Sequence, residues 1–309
     1  MNYMWQVLLQ QLVRRETRAL ARAISLVENE GPGYAELLAA LPHGKAKIVG
    51  ITGPPGAGKS TLTDGLIGEM IKDGKKVGVL CVDPSSPFNL GAVLGDRIRM
   101  SNWYTHPDVY IRSLATRGAM GGLHPKIIEI TELVKAAHFD YIIVETVGVG
   151  QSEIEIAGLA DTTVVVVVPE AGDEVQTMKA GLMEIADLFV VNKSDRPDAD
   201  AFVKALRLML APTFSRHTTE VPIVKTVAAN GSGLPELYQK IVAHQQLAGE
   251  NNKRVWLLAE RAWYLLQQQQ MKCFSKAELI HELQAAHVQP QFNLYRFVQA
   301  YHQKEKETF

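Results

Sequence analysis

One short stretch has the residue types and spacing that bind a phosphate chain: Gly53-Pro54-Pro55-Gly56-Ala57-Gly58-Lys59-Ser60, with Thr61 next. Glycines let successive backbone N–H groups approach phosphate oxygens without a clash from a Cβ atom, and a helix beginning here adds its positive dipole end. We expect Lys59 to contact the β- and γ-phosphates, Ser60 to ligate Mg²⁺ and Thr61 to contact the α-phosphate. The pattern predicts a P-loop, and a chance glycine-rich turn is the weaker interpretation.

A second motif, Asn192-Lys193-Ser194-Asp195, indicates which base is bound. The Asp195 carboxylate can accept from both the N1–H and the 2-amino group of guanine. Adenine lacks both donors and would leave this carboxylate desolvated, at a cost of about several kcal/mol. We expect the Lys193 stem to cover the base and Asn192 to reach back to the P-loop. The segment Val227-Ala228-Ala229 is a weaker candidate for donating a backbone N–H to guanine O6. The alternative is a polar loop that carries this pattern by chance.

Acidic residues that follow apolar runs are the candidates for holding Mg²⁺. Glu145 begins a Glu-x-x-Gly segment in which aspartate is usual, but the longer glutamate can still hold a water of the ion, and Gly148 could donate its N–H to the γ-phosphate. Asp83 and Asp96 are further candidates, with helix capping and a loop salt bridge as their alternatives. Ser60, Asp83, Asp96 and Glu145 thus form the predicted metal set, and Lys59, Glu145 and Gly148 the predicted catalytic set.

Hydrolysis also needs a positioned water and neutralised negative charge. No glutamine directly follows Gly148, and Gln151 is a weak candidate three residues on. The arginines Arg97, Arg99 and Arg117 are basic candidates for phosphate contact, but surface ion pairs are the simpler interpretation. We therefore expect slow intrinsic turnover, with a partner completing the site.

The elements that must position these motifs are apolar runs rich in valine and isoleucine. They cover residues 48–52, 77–82, 141–147, 162–168, 188–192 and 223–227, with 109–114 as a candidate edge strand. The runs are continuous rather than alternating, as in parallel strands covered on both faces. Alternation with helical stretches predicts an α/β fold, a doubly wound and mostly parallel P-loop NTPase sheet.

Helical patterns without strands flank this central region. We predict a helical arm over residues 1–44, a P-loop domain over 45–249 and a helical segment over 250–309. Gly31-Pro32-Gly33 is expected to divide the arm into two helices. The C-terminal segment shows three helical patterns, one of which begins with capping-box spacing at Ser275 and Glu278.

The composition limits the cellular compartment and the classes of partner that we expect. The chain of 309 residues has a formal net charge of −1, which gives no electrostatic case for nucleic-acid binding. Its two cysteines, Cys81 and Cys273, suit a reducing compartment, so we expect a cytoplasmic protein. The longest purely apolar run, residues 164–168, is far too short to cross a membrane.

Six motifs together resemble the methylmalonyl-CoA mutase-associated GTPases, the MeaB/ArgK family, over nearly the whole chain. They are GPPGAGKST at 53–61, VDPSSP at 82–87, GDRIRM at 95–100, RGAMGGL at 117–123, ETVGVGQSE at 145–153 and NKSD at 192–195. We find no departure from the family at these nucleotide positions.

The resemblance implies a GTPase that binds GTP or GDP with Mg²⁺ and forms a homodimer through its C-terminal helices. It also implies a partner, an adenosylcobalamin-dependent methylmalonyl-CoA mutase, whose cofactor loading is gated by GTP and which is protected from inactivation. A mobile switch over residues 170–181, with Asp173 and Lys179, would signal the nucleotide state to that mutase.

Two other functions remain open. A nickel-delivery GTPase would need a Cys/His cluster near the nucleotide, but Cys81 has no neighbouring cysteine, and His106 and His124 are not at ligand spacing. A P-loop kinase acting on a transport protein is the other alternative, and the guanine motif argues against ATP as its phosphate donor.

Overall fold

A seven-stranded parallel sheet forms the centre of the protein. The computed structural model describes residues 4–83, 100–116, 123–146, 152–169, 183, 185–214, 221–247, 252–270, 275–289 and 291–307. The strands are β1 (Lys47–Thr52), β2 (Val77–Asp83), β3 (Val109–Ala115), β4 (Tyr141–Glu145), β5 (Thr162–Val167), β6 (Leu188–Val191) and β7 (Ile223–Lys225). Their order is β3-β2-β4-β1-β5-β6-β7, and all six pairings are parallel. The predicted α/β class is confirmed.

The strands are buried because helices cover both faces of the sheet, as the continuous apolar runs predicted. Every residue of β2, β4, β5 and β6 is buried. The candidate edge strand is indeed at an edge, since β3 pairs with β2 alone among the strands described.

Among the residues that the structure describes, five helices accompany the sheet. They are α4 (Lys59–Lys72), α5 (Ile127–Ala136), α6 (Ser152–Leu159), α7 (Ala199–Phe214) and α8 (Leu234–Leu247). On one face, Leu66 of α4 and Ile241 of α8 belong to one apolar cluster with residues of all seven strands. On the other, α6 and α7 pack against β5 and β6 around Phe189. The P-loop helix α4 is therefore held against the sheet along its length.

Side-chain hydrogen bonds join α4 to α8 and to a short 3₁₀ turn. The Tyr238 hydroxyl of α8 donates to Asp73 at the end of α4 (2.9 Å), and burial, followed by this bond, raises the pKa of Tyr238 well above its ordinary value. The Trp103 indole Nε1–H donates to Asp64 Oδ1 of α4 (2.7 Å) from the short 3₁₀ turn Ser101–Trp103, and its ring lies beside Gly68.

The described part of the N-terminal arm contains three helices, so the break expected at Gly31-Pro32-Gly33 is confirmed but the expected number of two helices is wrong. They are α1 (Met4–Val13), α2 (Thr17–Glu28) and α3 (Tyr34–Ala39). The additional break comes at Arg15, whose φ of 65° is left-handed, and the Glu16 N–H closes the turn on the Gln11 carbonyl (3.1 Å). Periodicity missed this break because no glycine or proline marks it.

A buried ion cluster ties the arm to the sheet. The Glu28 carboxylate accepts from Arg112 of β3 at 2.6 Å, and the same guanidinium donates to the Ser25 hydroxyl at 3.2 Å. His124 lies behind it, with Nε2 3.8 Å from Glu28 Oε1. Because its Nδ1 accepts the Lys126 N–H (3.0 Å), a neutral His124 ring carries its proton on Nε2, facing Glu28. The arm and the edge strand thus share one polar core.

The chain divides into two compact units, Met1–Arg254 and Val255–Phe309. As predicted, the described residues after 250 form three helices: α9 (Asn252–Gln270), α10 (Lys276–Ala286) and α11 (Leu294–Glu307). The Glu278 N–H donates to Ser275 Oγ at 3.3 Å, which caps α10. The domain boundaries written from the sequence stay predictions. No helix in the described ranges is both long enough and apolar enough to cross a membrane.

Candidate nucleotide-binding site

The loop between β1 and α4 follows a path that only glycine tolerates at two positions. Gly53 has a φ of 142°, and a Cβ there would collide with the Val166 carbonyl of β5. Gly58 has a φ of 88°, and a Cβ there would collide with the Asn192 side chain. The loop is therefore pressed against the ends of the neighbouring strands, and Pro55 remains exposed at its tip.

Lys59 lies inside this loop rather than in solvent. Only 7% of the residue is exposed, and its Nζ donates to the carbonyl oxygens of Gly53 (2.9 Å) and Pro54 (3.1 Å). Ser60 and Thr61 follow in the first turn of α4, the first buried and the second half-buried. The ammonium is thus held among the loop's backbone groups, where a P-loop lysine meets phosphate.

The Asn-Lys-x-Asp motif is in direct contact with the loop. The Asn192 amide Nδ2 donates to the Ala57 carbonyl (2.9 Å), and Lys193 Nζ donates to the Gly56 carbonyl (2.8 Å). Asn192 is buried, whereas Asp195 is exposed at the turn that follows β6. The two motifs are therefore close enough to contact the base and the phosphates of one nucleotide.

The segment after β7 also contacts the Asn-Lys-x-Asp motif, and this contact reduces the number of candidate donors to guanine O6. The Ala228 N–H donates to Asn192 Oδ1 (3.1 Å), and the Val227 N–H donates to the Ser232 carbonyl (3.0 Å). Among the three residues predicted to offer an N–H to guanine O6, Ala229 is thus the remaining candidate.

A buried carboxylate lies beside the first turns of α4. Glu145 is 3% exposed; its Oε1 accepts from Ser60 Oγ (2.7 Å) and its Oε2 from Thr63 Oγ1 (2.9 Å). Asp83, also 3% exposed, ends the neighbouring strand β2 at the same edge of the sheet. A hydroxyl and carboxylates are hard oxygen ligands, so this set fits Mg²⁺.

Several predicted residues lie outside the described ranges. They are Gly148, Asp96, Gln151, the three candidate arginines and the switch at 170–181. Within the described ranges, no three His, Cys, Asp or Glu side chains are grouped so that they could hold a metal ion.

The sequence reasoning missed three threonines at this edge. Thr63 is the first, and its spacing of three residues from Ser60 places both on one helix face, a signal that was available. The others are Thr146 and Thr52, whose buried hydroxyls are 3.0 Å apart and join the ends of β4 and β1. No sequence spacing predicts that second contact, because it depends on strand register.

A P-loop in contact with an Asn-Lys-x-Asp motif, at the carboxyl edge of a parallel sheet, defines a P-loop GTPase. Residues 20–282 match the family model described as "Methylmalonyl Co-A mutase-associated GTPase MeaB". The chain belongs to this family, and it is a guanine-nucleotide-binding GTPase.

Two curated relatives and one solved structure are similar to this chain over most of its length. A protein of Pyrococcus horikoshii named as a GTPase is 48% identical over 253 residues, which are 80% of this chain and 79% of the relative. The mouse methylmalonic aciduria type A homolog, mitochondrial, is 34% identical over 304 residues, 88% of this chain and 71% of the relative. The crystal structure of an LAO/AO transport system kinase matches with a TM-score of 0.68 and 25% identity, over 98% of this chain and 99% of that one.

Proposed function

We propose that this GTPase assists an adenosylcobalamin-dependent methylmalonyl-CoA mutase. In this role its nucleotide state gates the loading of the cofactor into the mutase and protects the mutase from inactivation. One observation carries the proposal: the family model that spans residues 20–282 is described by its association with that mutase. The mouse relative, named for methylmalonic aciduria, supports the same metabolic setting.

In the proposed nucleotide site, the base and the phosphates are bound by the two motifs in contact. Asp195 pairs with guanine, and Lys59 neutralises charge on the β- and γ-phosphates. The bonds from Asn192 and Lys193 to P-loop carbonyls support this arrangement, because they fix the distance between the two motifs.

Mg²⁺ is the proposed metal of this site. Ser60 would hold it, with Glu145 and Asp83 nearby, and the ion would supply further neutralisation of phosphate charge. The support is the chemistry of the donors: a hydroxyl in contact with a buried carboxylate, with a second carboxylate ending the adjacent strand.

The proposed assembly is a cytoplasmic homodimer formed through α9, α10 and α11. The support is the apolar surface of these helices, which includes Trp256 (56% exposed), Trp263 (61%) and Tyr295 (80%). Large exposed apolar side chains can mark protein–protein contacts. The two cysteines support the location, because they suit a reducing compartment.

The test is to measure binding of the purified protein to a purified adenosylcobalamin-dependent methylmalonyl-CoA mutase, with a non-hydrolysable GTP analogue, with GDP and without nucleotide. We expect the affinities with GTP analogue and with GDP to differ about 10-fold, a coupling of about 1.4 kcal/mol. In the Lys59→Ala variant, which loses the phosphate-binding ammonium, that difference should disappear. Absence of mutase binding in all three conditions would contradict the proposal.

Competition for the nucleotide site separates the alternatives. GTP should displace a labelled guanine nucleotide, and ATP should not. Displacement by ATP with phosphate transfer to a transport protein would instead support a kinase. Stoichiometric nickel binding would support a nickel-delivery protein.

A further inference from the structure

We infer that Thr63 is a positioning residue that holds the Glu145 carboxylate in the orientation the Mg²⁺ site requires. The inference rests on the proposed magnesium site, and it adds a residue that lies outside both nucleotide-binding motifs. Thr63 is fully buried in the second turn of α4, three residues after Ser60.

The Ser60 and Thr63 hydroxyls donate hydrogen bonds to different oxygens of the Glu145 carboxylate. Ser60 Oγ is 2.7 Å from Glu145 Oε1, and Thr63 Oγ1 is 2.9 Å from Glu145 Oε2. Residues three apart on a helix lie on the same face, so α4 presents both donors to the end of β4. A carboxylate held at both oxygens has its plane fixed, whereas one held at a single oxygen can rotate about its terminal bond.

The Thr63 proton has two acceptors within reach, and the carboxylate is the better one. The Lys59 carbonyl is 3.0 Å from Thr63 Oγ1. In an α-helix that carbonyl is also the regular acceptor of the backbone N–H four residues later, which here is that of Thr63 itself. A hydrogen bond to an ionised carboxylate is about twice as strong as one between neutral groups.

Fixing the carboxylate from its buried side leaves the Ser60 oxygen available to the metal. The Ser60 hydroxyl can direct its hydrogen at Oε1 while its lone pair faces the ion, provided that Glu145 does not turn away. Thr63 supplies that constraint without contacting nucleotide or metal itself, because it is enclosed in the core. Loss of the Thr63 hydroxyl should therefore weaken Mg²⁺ binding and leave metal-free nucleotide binding intact.

The experiment titrates Mg²⁺ into the full chain loaded with a fluorescent GDP, and separately measures GDP affinity in EDTA. Thr63→Val keeps the shape of the side chain and removes the hydroxyl. We expect its Mg²⁺ affinity to fall about 10-fold or more, as when other hydrogen bonds to metal-ligand groups are removed, with GDP affinity in EDTA unchanged. Thr63→Ser should restore the Mg²⁺ affinity.

A matched control variant distinguishes the loss of the Thr63–Glu145 hydrogen bond from the simple loss of a buried hydroxyl. Thr131 of α5 is also fully buried, and its Oγ1 donates to the Ile127 carbonyl four residues earlier (2.6 Å). Thr131→Val should leave Mg²⁺ affinity unchanged. In a Glu145→Gln background, Thr63→Val should cause little further loss, because the two residues act together.

The outcomes distinguish a failure of the inference about Thr63 from a failure of the proposed magnesium site. If the wild type binds GDP equally with and without Mg²⁺, the magnesium site and the inference are both wrong. If the wild type depends on Mg²⁺ and Thr63→Val matches it, only the inference is wrong. Equal losses with Mg²⁺ and in EDTA would also overturn it, since they indicate a general structural role. Thr63→Ala removes the same hydroxyl if the valine variant does not fold.

Discussion

Asp195 is the residue on which guanine recognition depends in the proposed site. It follows Lys193, whose φ of 56° is left-handed and whose ammonium is bound to the Gly56 carbonyl. The turn is also held by the Ser194 N–H, which donates to the Thr226 carbonyl at 3.0 Å. The exposed carboxylate therefore sits on a backbone that the P-loop and β7 restrain from two sides.

Replacing Asp195 by asparagine should change which base is preferred. Xanthine has a carbonyl where guanine has its 2-amino group, so an amide can donate where the carboxylate accepted. We expect Asp195→Asn to bind GTP about 100-fold less tightly and to prefer xanthosine triphosphate, measured by competition with a fluorescent nucleotide. Asp198→Asn, an exposed aspartate three residues on, is the control and should behave as wild type. Unchanged GTP affinity in Asp195→Asn would place the base elsewhere.

Residues that act through a local motif could be predicted, and residues that act through tertiary contacts could not. The P-loop and the Asn-Lys-x-Asp motif are contiguous, so their types and spacing carry the chemistry. The spacing of Thr63 from Ser60 can be read from the sequence, but the contact that gives Thr63 a role appears only when β4 brings Glu145 against α4. The hydrogen bond that the Ala228 N–H donates to Asn192 Oδ1 likewise depends on where β7 ends.

At the scale of elements, the arm is part of the P-loop domain's packing. Helix α2 packs on α5, which in turn packs on β4, and the Glu28–Arg112 pair joins α2 to the edge strand β3. Both side chains are largely buried, 9% and 23% exposed. A half-buried guanidinium needs this carboxylate, because a charge withdrawn from water without a partner is costly.

Removing that carboxylate should destabilise the whole unit. We expect Glu28→Ala to lower the free energy of unfolding by about 3 kcal/mol, because Arg112 and His124 lose a buried partner. Urea unfolding followed by circular dichroism measures this. Lys72→Ala breaks the exposed pair with Glu69 and should cost less than about 1 kcal/mol. Equal unfolding midpoints for the two variants would show that the cluster does not stabilise the arm.

The strands were more predictable than the arm, for a physical reason. A strand buried on both faces must be apolar throughout, so composition alone locates β2 or β5. The break between α1 and α2 is made by Arg15 in a left-handed conformation, which arginine rarely adopts. No residue type in the sequence at this position predicts that conformation. The structure of residues around that break follows from how α1 and α2 pack on each other.

At the scale of the molecule, the helices after residue 250 carry apolar surface that a second copy would cover. Trp263 and Leu266 are 61% and 56% exposed on α9. Spaced three residues apart, they lie on one face of that helix. This is the face on which the proposed homodimer would depend.

Charges introduced on this face should separate the subunits. We expect Trp263→Glu with Leu266→Glu to convert a wild-type dimer into a monomer in sedimentation equilibrium, because a contact would have to bury unpaired carboxylates. GTP affinity should be unchanged, since no nucleotide-binding residue is altered. Leu208→Glu on α7, at a leucine 68% exposed in the other unit, should leave the mass unchanged. A wild-type monomer would refute the dimer.

Trp103 gives this protein a spectroscopic label of its own. Its indole donates to Asp64, on the helix that starts at Lys59. The wavelength of indole emission responds to the loss or gain of such a bond, so a tilt of that helix would shift the emission maximum of Trp103. With Trp5, Trp256 and Trp263 replaced by phenylalanine, the emission of this one tryptophan would follow any movement of that helix on nucleotide exchange in a stopped-flow cuvette, without any dye.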